Sequence, residues 1–460
     1  MLEAEKKLMK PYWKQNGNKI YQGDALEVLR TMPNNHFTCI ITDPPYELNF
    51  MNKKWDSSGV AFQTDTWEEA LRVAKPGAFL LAFGGTRTHH RLMCAIEDAG
   101  WEIRDCMMWL YGSGFPKSLD ISKAIDKAAG IEREIIGPSK HHCAGRKPTN
   151  TLRSMNKLYN KEDDGKYITT PATPEAQEWD GFGTALKPAY EPIIVAMKPI
   201  ENTFANNALT HGVAGLNIDK SRIGAPIDTK RPCGKALLGT FEGQEGKVSG
   251  RDDVGRFPAN IILTHHPECE MVGMKKIKAI KGGRSYQNTN NMYSGGYKQI
   301  EGIKKDPGYG DENGLEEVEY WDCHPDCPVG ILDEQSGELK SGARKGGSGA
   351  GADRIFKLHG AKCEASTGTA SRFFYQAKAS RSERGKGNKH PTVKPIALIK
   401  YLVELVAPPK DALILDMFFG SGTLGVVCEK LGIKYVGIDL DCQYAIPRIK
   451  QETKQLKLWR

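Results

Sequence analysis

The chain has 460 residues, 39% hydrophobic and 26% charged, which excludes a disordered or fibrous protein and allows packed cores in two or three domains. The formal net charge of +8 permits a polyanionic partner without demanding one. No apolar run reaches the ~20 residues of a membrane-spanning helix, and the charged start MLEAEKKLMKPYWKQ lacks the apolar core of a signal peptide, so a cytoplasmic protein is expected.

Along the chain, Lys19 to Tyr21 predicts a short strand and Asp24 to Arg30 a helix turn. Thr38 to Thr42 (TCIIT) predicts a buried strand that ends in Asp43-Pro44-Pro45-Tyr46. A helix is expected over Trp67 to Ala74, an apolar strand over Ala78 to Phe83, and a helix over His89 to Ala99 stopped by Gly100. Strands alternating with helices predict a parallel sheet covered on both faces. From about 113 to 370 the texture changes to Gly, Pro, Asn and Lys with weak periodicity, as in Lys281 to Arg284 and Lys345 to Gly351. Strands at Ile193 to Met197 and Asn260 to Thr264 stand out within it. From 371 the α/β texture returns: helix Ile396 to Val406, strand Ala412 to Leu415, a glycine turn, helix Leu424 to Leu431 and strand Tyr435 to Ile438. The division is therefore 1–112, a loop-rich insertion over 113–370, and 371–460, with the two ends as halves of one sheet.

The turn Asp416-Met417-Phe418-Phe419-Gly420-Ser421-Gly422-Thr423 follows a strand and opens a helix, where glycines let backbone approach a ligand closely. The next strand ends at Asp439, the spacing of a ribose-binding carboxylate in a nucleotide-binding sheet. The turn is neither the three-glycine dinucleotide fingerprint nor a phosphate loop, so a nicotinamide or ATP site is disfavoured. In Asp43-Pro44-Pro45-Tyr46, two prolines remove two backbone donors and leave a rigid turn of carbonyls and a carboxylate. Asp43 and the Pro44 carbonyl can each accept one hydrogen of an –NH₂ group, and Tyr46 offers a face for stacking on an extruded base. A tight structural turn, or a proline turn with a capping Asp, is the alternative in each case.

Together these turns resemble the amino-methyltransferase family that modifies DNA adenine or cytosine. With the catalytic turn first, then an insertion, then the cofactor turn, the chain resembles the beta class, a circular permutation of the methyltransferase fold. The resemblance implies a Rossmann-like mixed α/β sheet split by a recognition insertion, S-adenosylmethionine as cofactor and double-stranded DNA as partner. A homodimer and a cognate restriction nuclease are further partners such an enzyme admits. It makes Asp43, Pro44, Pro45 and Tyr46 catalytic, and it places Asp24, Asp43, Asp416, Phe418, Gly420, Ser421, Gly422, Thr423 and Asp439 around the cofactor. His390, Thr392 and Lys394, in the string His-Pro-Thr-Val-Lys-Pro, resemble the segment that holds the cofactor's methionine end. The sequence departs from the family in Met417, where proline is common, and in Asp439, where Glu is common. Asp at position 43 favours adenine over cytosine, since Ser is commoner in the N4-cytosine enzymes; glutamine or RNA methylases usually carry Asn there. A DNA-binding module on an inactive methyltransferase domain is a further alternative, opposed by the intact Asp43, Tyr46 and Asp439.

The insertion is expected to carry the recognition surface. Trp109, Tyr111, Phe115 and Lys117 interleave aromatic and basic character, as do Arg372, Phe373, Phe374 and Tyr375; Arg381, Arg384, Lys386 and Lys389 add a basic cluster. Each Lys or Arg among them read alone is a solvated charge. His265-His266-Pro-Glu-Cys269 and Cys323-His324-Pro-Asp-Cys327 pair soft ligands in two short clusters. His265, Cys269, Cys323 and Cys327 are candidate ligands of a structural zinc, although each cluster has a redundant histidine and the spacing matches no standard finger. Buried thiols beside turn prolines are the other reading. The eleven cysteines as a whole read as reduced thiols or metal ligands, not disulfides.

Overall fold

The computed structural model describes residues 9–48, 54–112, 114, 118–138, 167–223, 256–278, 315–340, 367–378 and 393–458. They fall into two compact units, one of Met1–Tyr46, Gly59–Gly112 and Tyr190–Arg460, the other of Glu47–Ser58 and Ser113–Ala189.

The strands in chain order begin with β1 (Trp13–Gln15), β2 (Asn18–Gln22), β3 (Phe37–Thr42), β4 (Ala74–Phe83) and β5 (Glu102–Leu110). The smaller unit holds β6 (Ile135–Pro138) and β7 (Tyr167–Thr169). Then come β8 (Tyr190–Met197), β9 (Ile261–His265), β10 (Glu270–Lys278), β11 (Leu315–Asp322), β12 (Leu339–Lys340) and β13 (Thr367–Gly368). The last are β14 (Tyr375–Lys378), β15 (Leu413–Asp416) and β16 (Lys434–Asp439).

Ten of these form one sheet in the order β1-β2-β16-β15-β3-β4-β8-β5-β9-β14. From β2 to β4 every pairing is parallel. β8 runs against both β4 and β5, and β9 and β14 continue parallel to β5. The expected mixed sheet is therefore present, and both strands singled out in the middle of the sequence, β8 and β9, belong to it.

β3 alternates its side chains between two cores. Cys39 and Ile41 face the helices Ile396–Val406 and Thr423–Leu431, while Ile40 faces Ala25–Arg30, Thr64–Val73 and His89–Asp98. A strand covered on both sides is buried at every position, so TCIIT carries no charge and its threonine hydroxyls are hydrogen-bonded. Ile396–Val406 forms because apolar residues recur at helical spacing behind Pro395; Leu398, Leu402 and Val403 are buried, each worth about 1.5–3 kcal/mol of transfer free energy.

From β3 the chain crosses to β4 on one side, and from β15 to β16 on the other. The reversal between β3 and β15 is the switch point at which open α/β sheets bind ligands.

In the smaller unit, the helix Ile121–Ala128 is capped by Asp120, whose carboxylate accepts the Lys123 N–H. The buried Asp126 carboxylate accepts the N–H groups of Ala172 and Thr173 and the Thr173 hydroxyl, and pairs with Arg133 at 3.3 Å. Burial alone pushes that carboxyl up, but the hydrogen bonds and Arg133 bring it below its usual value. Among the described residues, no helix is long and apolar enough to cross a membrane.

Candidate active site

The two motifs of the sequence meet because β3 and β15 are neighbours in the sheet. Asp43 follows the last residue of β3, and Asp416 is the last residue of β15. A side-chain bond ties the strand ends together: the Thr42 hydroxyl donates to Asp416 Oδ1 at 2.9 Å, and the Phe418 N–H donates to the same oxygen at 3.1 Å. Asp416 is buried, and burial pushes its carboxyl up to about 8. The two hydrogen bonds oppose that rise, whereas the nearby Asp43 and Asp439 reinforce it.

Asp43 is held differently. Lys394 Nζ lies 3.0 Å from its Oδ1 and 2.9 Å from its Oδ2, 3.1 Å from Glu191 Oε2, and 2.9 Å from the Tyr46 hydroxyl. The Tyr46 hydroxyl donates to Glu191 Oε2 at 2.7 Å. Aromatic faces wall the ammonium, with the rings of Phe83 and Tyr46 4.8 and 5.1 Å away. Burial disfavours the charged ammonium, but Asp43 and Glu191 outweigh it and hold Lys394 above its usual value. Burial, then the charges of Asp43 and Glu191, raises Tyr46 well above an ordinary phenol, so it is a neutral donor. Tyr111 is raised by burial and then by Glu191. At the end of the turn, the Tyr46 carbonyl accepts the Thr88 hydroxyl at 2.7 Å.

Glu191 reaches this network because β8 is reversed. An antiparallel strand begins at the edge where its parallel neighbours end, and Glu191 pairs in register with Trp109 near the end of β5. Only a charged residue at the head of an apolar strand signals Glu191 in the sequence, and strand direction is not written there.

The glycine turn is built as tightly as its sequence implies. Gly420 and Gly422 have φ of 49° and 74°, the left-handed region that favours glycine. The Gly420 N–H donates to Asp439 Oδ2 at 2.6 Å, and the Asp441 N–H to Oδ1 at 3.0 Å, so the carboxylate at the end of β16 faces the turn. Gly422 is needed for packing as well as backbone conformation: a Cβ there would lie 2.7 Å from that of Ala445. Gly437 likewise makes room for the buried Phe419 ring. Met417 is buried and packs among the apolar side chains on the second face of the sheet.

The remaining candidates are placed as follows. Ser421 and Thr423 are buried, and their hydroxyls accept from Arg448 Nη1 at 3.0 and 3.1 Å, a latch that sequence reading missed. Asp24 caps the helix Ala25–Arg30 by accepting the Glu27 N–H, while the neighbouring Gly23 N–H donates to the Asp439 carbonyl. Pro44 is buried and Pro45 and Phe418 half-buried at the same edge. His390 and Thr392 lie outside the described residues, as do Phe115, Lys117, the basic cluster Arg381 to Lys389 and the Lys/Gly-rich stretches at 281–284 and 345–351. Arg372 is buried with its guanidinium over Phe373, and Tyr375 stacks on Tyr401, so both residues serve packing. His265, Cys269, Cys323 and Cys327 come together at the end of β9.

A family model described as DNA methylase matches residues 37–446. The chain is 44% identical over 64 residues to the type II methyltransferase M2.LlaDCHI of Lactococcus lactis subsp. cremoris, covering 14% of this chain and 23% of the relative. It is 45% identical over 56 residues to the type II methyltransferase M2.DpnII of Streptococcus pneumoniae, covering 12% and 20%. The matches thus span about a fifth of the length of these relatives. Among solved structures, the cytosine-N4-specific PvuII DNA methyltransferase aligns over 98% of this chain and 94% of its own at 12% identity, with a TM-score of 0.37.

Proposed function

Starting from the fact that this chain belongs to the DNA methylase family of N6/N4 amino-methyltransferases, we propose that it transfers a methyl group from S-adenosylmethionine to N6 of adenine in double-stranded DNA. The observation that carries this reading is the adjacency of the two turns, an acceptor turn ending β3 and a glycine turn ending β15, at the switch point of the sheet.

The residues fit the cofactor. Asp439 turns a carboxylate toward the glycine turn, where ribose hydroxyls need acceptors, and Gly420 leaves the turn free of a side chain. Asp416 and Phe418, with Ser421, Gly422 and Thr423, shape that turn; Asp24 anchors the helix beside it; His390 and Thr392 are assigned to the methionine end, while the Lys394 ammonium of the same string is taken up by Asp43, Glu191 and Tyr46. When bound, S-adenosylmethionine supplies an electrophilic methyl group.

Asp43 and the Pro44 carbonyl hold the two amine hydrogens of the flipped base, and Tyr46 packs against its ring. Two acceptors on one nitrogen favour a pyramidal geometry and aim the lone pair, so the gain is orientation and electrostatics. Lys394 and Glu191 act as positioning residues. Lys394 fixes both oxygens of Asp43, and each carboxylate oxygen retains a second lone pair for the amine. A methylated, protonated exocyclic amine is a far stronger acid than a carboxylic acid, so even the ion-paired Asp43 can take its surplus proton. Within 113–370, the segments outside the sheet strands β8 and β9 are assigned the recognition of the DNA sequence.

The adenine assignment rests on Asp at position 43. The test is duplex DNA incubated with the protein and methyl-labelled S-adenosylmethionine, digested and resolved as nucleosides by mass spectrometry. Label in N6-methyladenine is expected. Label confined to N4-methylcytosine would overturn the base and leave the site standing; no label on any base would overturn the activity.

A further inference from the structure

We propose that His265, Cys269, Cys323 and Cys327 bind one structural zinc ion at the end of β9, independently of the methyl-transfer site. The histidine and the two C-terminal cysteines are 58 and 62 positions apart, yet one donor atom from each of the four residues lies within 4.8 Å of the others. His265 Nδ1 is 3.6 Å from Cys323 Sγ and 3.6 Å from Cys327 Sγ. Zinc with bonds of about 2.3 Å to sulfur and about 2.05 Å to nitrogen, at tetrahedral angles, sets S···N at about 3.6 Å. Two sulfurs equidistant from one lone pair suit a shared ion better than a hydrogen bond, which satisfies only one of them.

The imidazole is prepared for this role. His265 Nε2 lies 2.9 Å from Gln376 Oε1, and the Gln376 amide is oriented by donating to the Ser371 carbonyl at 3.1 Å. That arrangement puts the ring proton on Nε2 and the lone pair on Nδ1, toward the sulfurs. Trp321 stacks on the ring at 4.1 Å and shields it.

Two like turns carry the ligands. In His266-Pro-Glu-Cys269 the cysteine N–H donates to the His266 carbonyl at 2.9 Å, and in His324-Pro-Asp-Cys327 to the His324 carbonyl at 2.8 Å. The Glu268 and Asp326 N–H groups donate to Nδ1 of His266 and His324, and those two rings stack at 4.1 Å. The redundant histidines are thus occupied in building the turns, which leaves the flanking positions His265 and Cys323 as ligands. The His324 N–H also donates to Cys269 Sγ at 3.3 Å, as amides do to metal-bound thiolates.

With all four ligands from protein the coordination is closed, so the ion is structural. It would fasten the β10–β11 ribbon and the helix Pro328–Ser336 to the sheet, where, among the described residues, the fully buried apolar cluster is Leu263, Cys269, Cys327 and Val329, with Ile261, Trp321, Leu332 and Phe374 partly buried against it. So small a core calls for a staple.

Full-length protein purified without chelators should carry about one zinc per chain by elemental analysis. After exchange with cobalt(II) it should show thiolate-to-metal charge transfer and tetrahedral d–d bands. Cys323→Ser should reduce the charge-transfer intensity by about a third, one thiolate of three, and the double variant His266→Asn/His324→Asn, whose side-chain oxygens can still accept the Glu268 and Asp326 N–H groups, should retain both metal and bands. Wild-type protein with neither zinc nor a thiolate–cobalt band would overturn the proposal. So would loss of metal in the double histidine variant, which would move the site to the outer cluster of His266, Glu268 and His324. If Cys323→Ser does not fold, the wild-type spectrum and the double variant decide.

Discussion

Asp43 and Asp416 stand at the carboxyl ends of neighbouring parallel strands, and their surroundings give them opposite chemistry. Asp43 is half-exposed and ion-paired, with the Lys394 ammonium on both of its oxygens. Asp416 is buried, accepts bonds from Thr42 and Phe418, and is pushed up to about 8. One is held by an ammonium at the strand end, the other is pushed up by burial under the glycine turn. The residue type is the same; the surroundings are set by groups far away in sequence, Lys394 being 351 positions from Asp43. An acceptor that must hold an amine has to be charged or strongly polar and reachable, whereas a carboxyl that only ties two turns is more stable neutral once water is excluded.

The largest effect that would break this contrast is expected at Asp43. Asp43→Ala removes the proposed acceptor, and methyl transfer should fall by at least about 10²-fold, the usual cost of deleting a preorganised group at a reacting centre. Cofactor affinity, read by calorimetry, should change little, since Asp439 and the glycine turn remain. Turnover near the wild-type rate would remove Asp43 from the mechanism.

Next in size is the cation. Lys394→Met leaves Asp43 and Glu191 as neighbouring carboxylates without their shared partner. Breaking a largely buried pair from one side should cost about 3 kcal/mol of stability, measurable as a lowered denaturant midpoint. Adding Glu191→Gln should recover part of that loss by removing one of the two like charges. If the double variant is no more stable than Lys394→Met, repulsion between these carboxylates is not what Lys394 relieves.

Much of the edge that carries the two turns was legible in the sequence, because its signals are local. TCIIT before Asp43, the glycines at 420 and 422, and the acid at 439 each depend on neighbours within one strand–turn–helix unit, and all meet as the strand pattern implies. What escaped depends on long-range pairing. Glu191 matters only because β8 runs backwards. The Arg448 guanidinium that latches Ser421 and Thr423 sits on a helix no motif pointed to. Gly422 is needed against Ala445 as well as for its backbone conformation. Arg372 reads as a phosphate contact and is packed on Phe373. In the cysteine–histidine clusters the sequence left one redundant histidine at each turn, His266 or His265 at the first and His324 at the second; the turn hydrogen bonds distinguish them.

The smallest and most specific test concerns Asp416. In the unfolded chain its carboxyl titrates near the ordinary ~3.9, and in the folded chain at about 8. Between these values the folded state holds a proton that the unfolded state has lost, so stability must fall as pH rises through the window and level off above the folded value. The slope for one group is at most about 1.4 kcal/mol per pH unit. Asp416→Asn keeps an oxygen to accept from Thr42 and Phe418 but cannot ionise, so its contribution to that slope disappears. Denaturant unfolding of both proteins between about pH 5 and pH 8 should therefore show wild-type stability dropping relative to the variant as pH increases. Parallel profiles would mean that Asp416 is already ionised at neutral pH. In that case Asp43, Asp416 and Asp439 would form a cluster of three anions around the turn, and a cation near the glycine turn would be attracted by all of them. With Asp416 neutral, the attraction belongs to Asp43 and Asp439 alone.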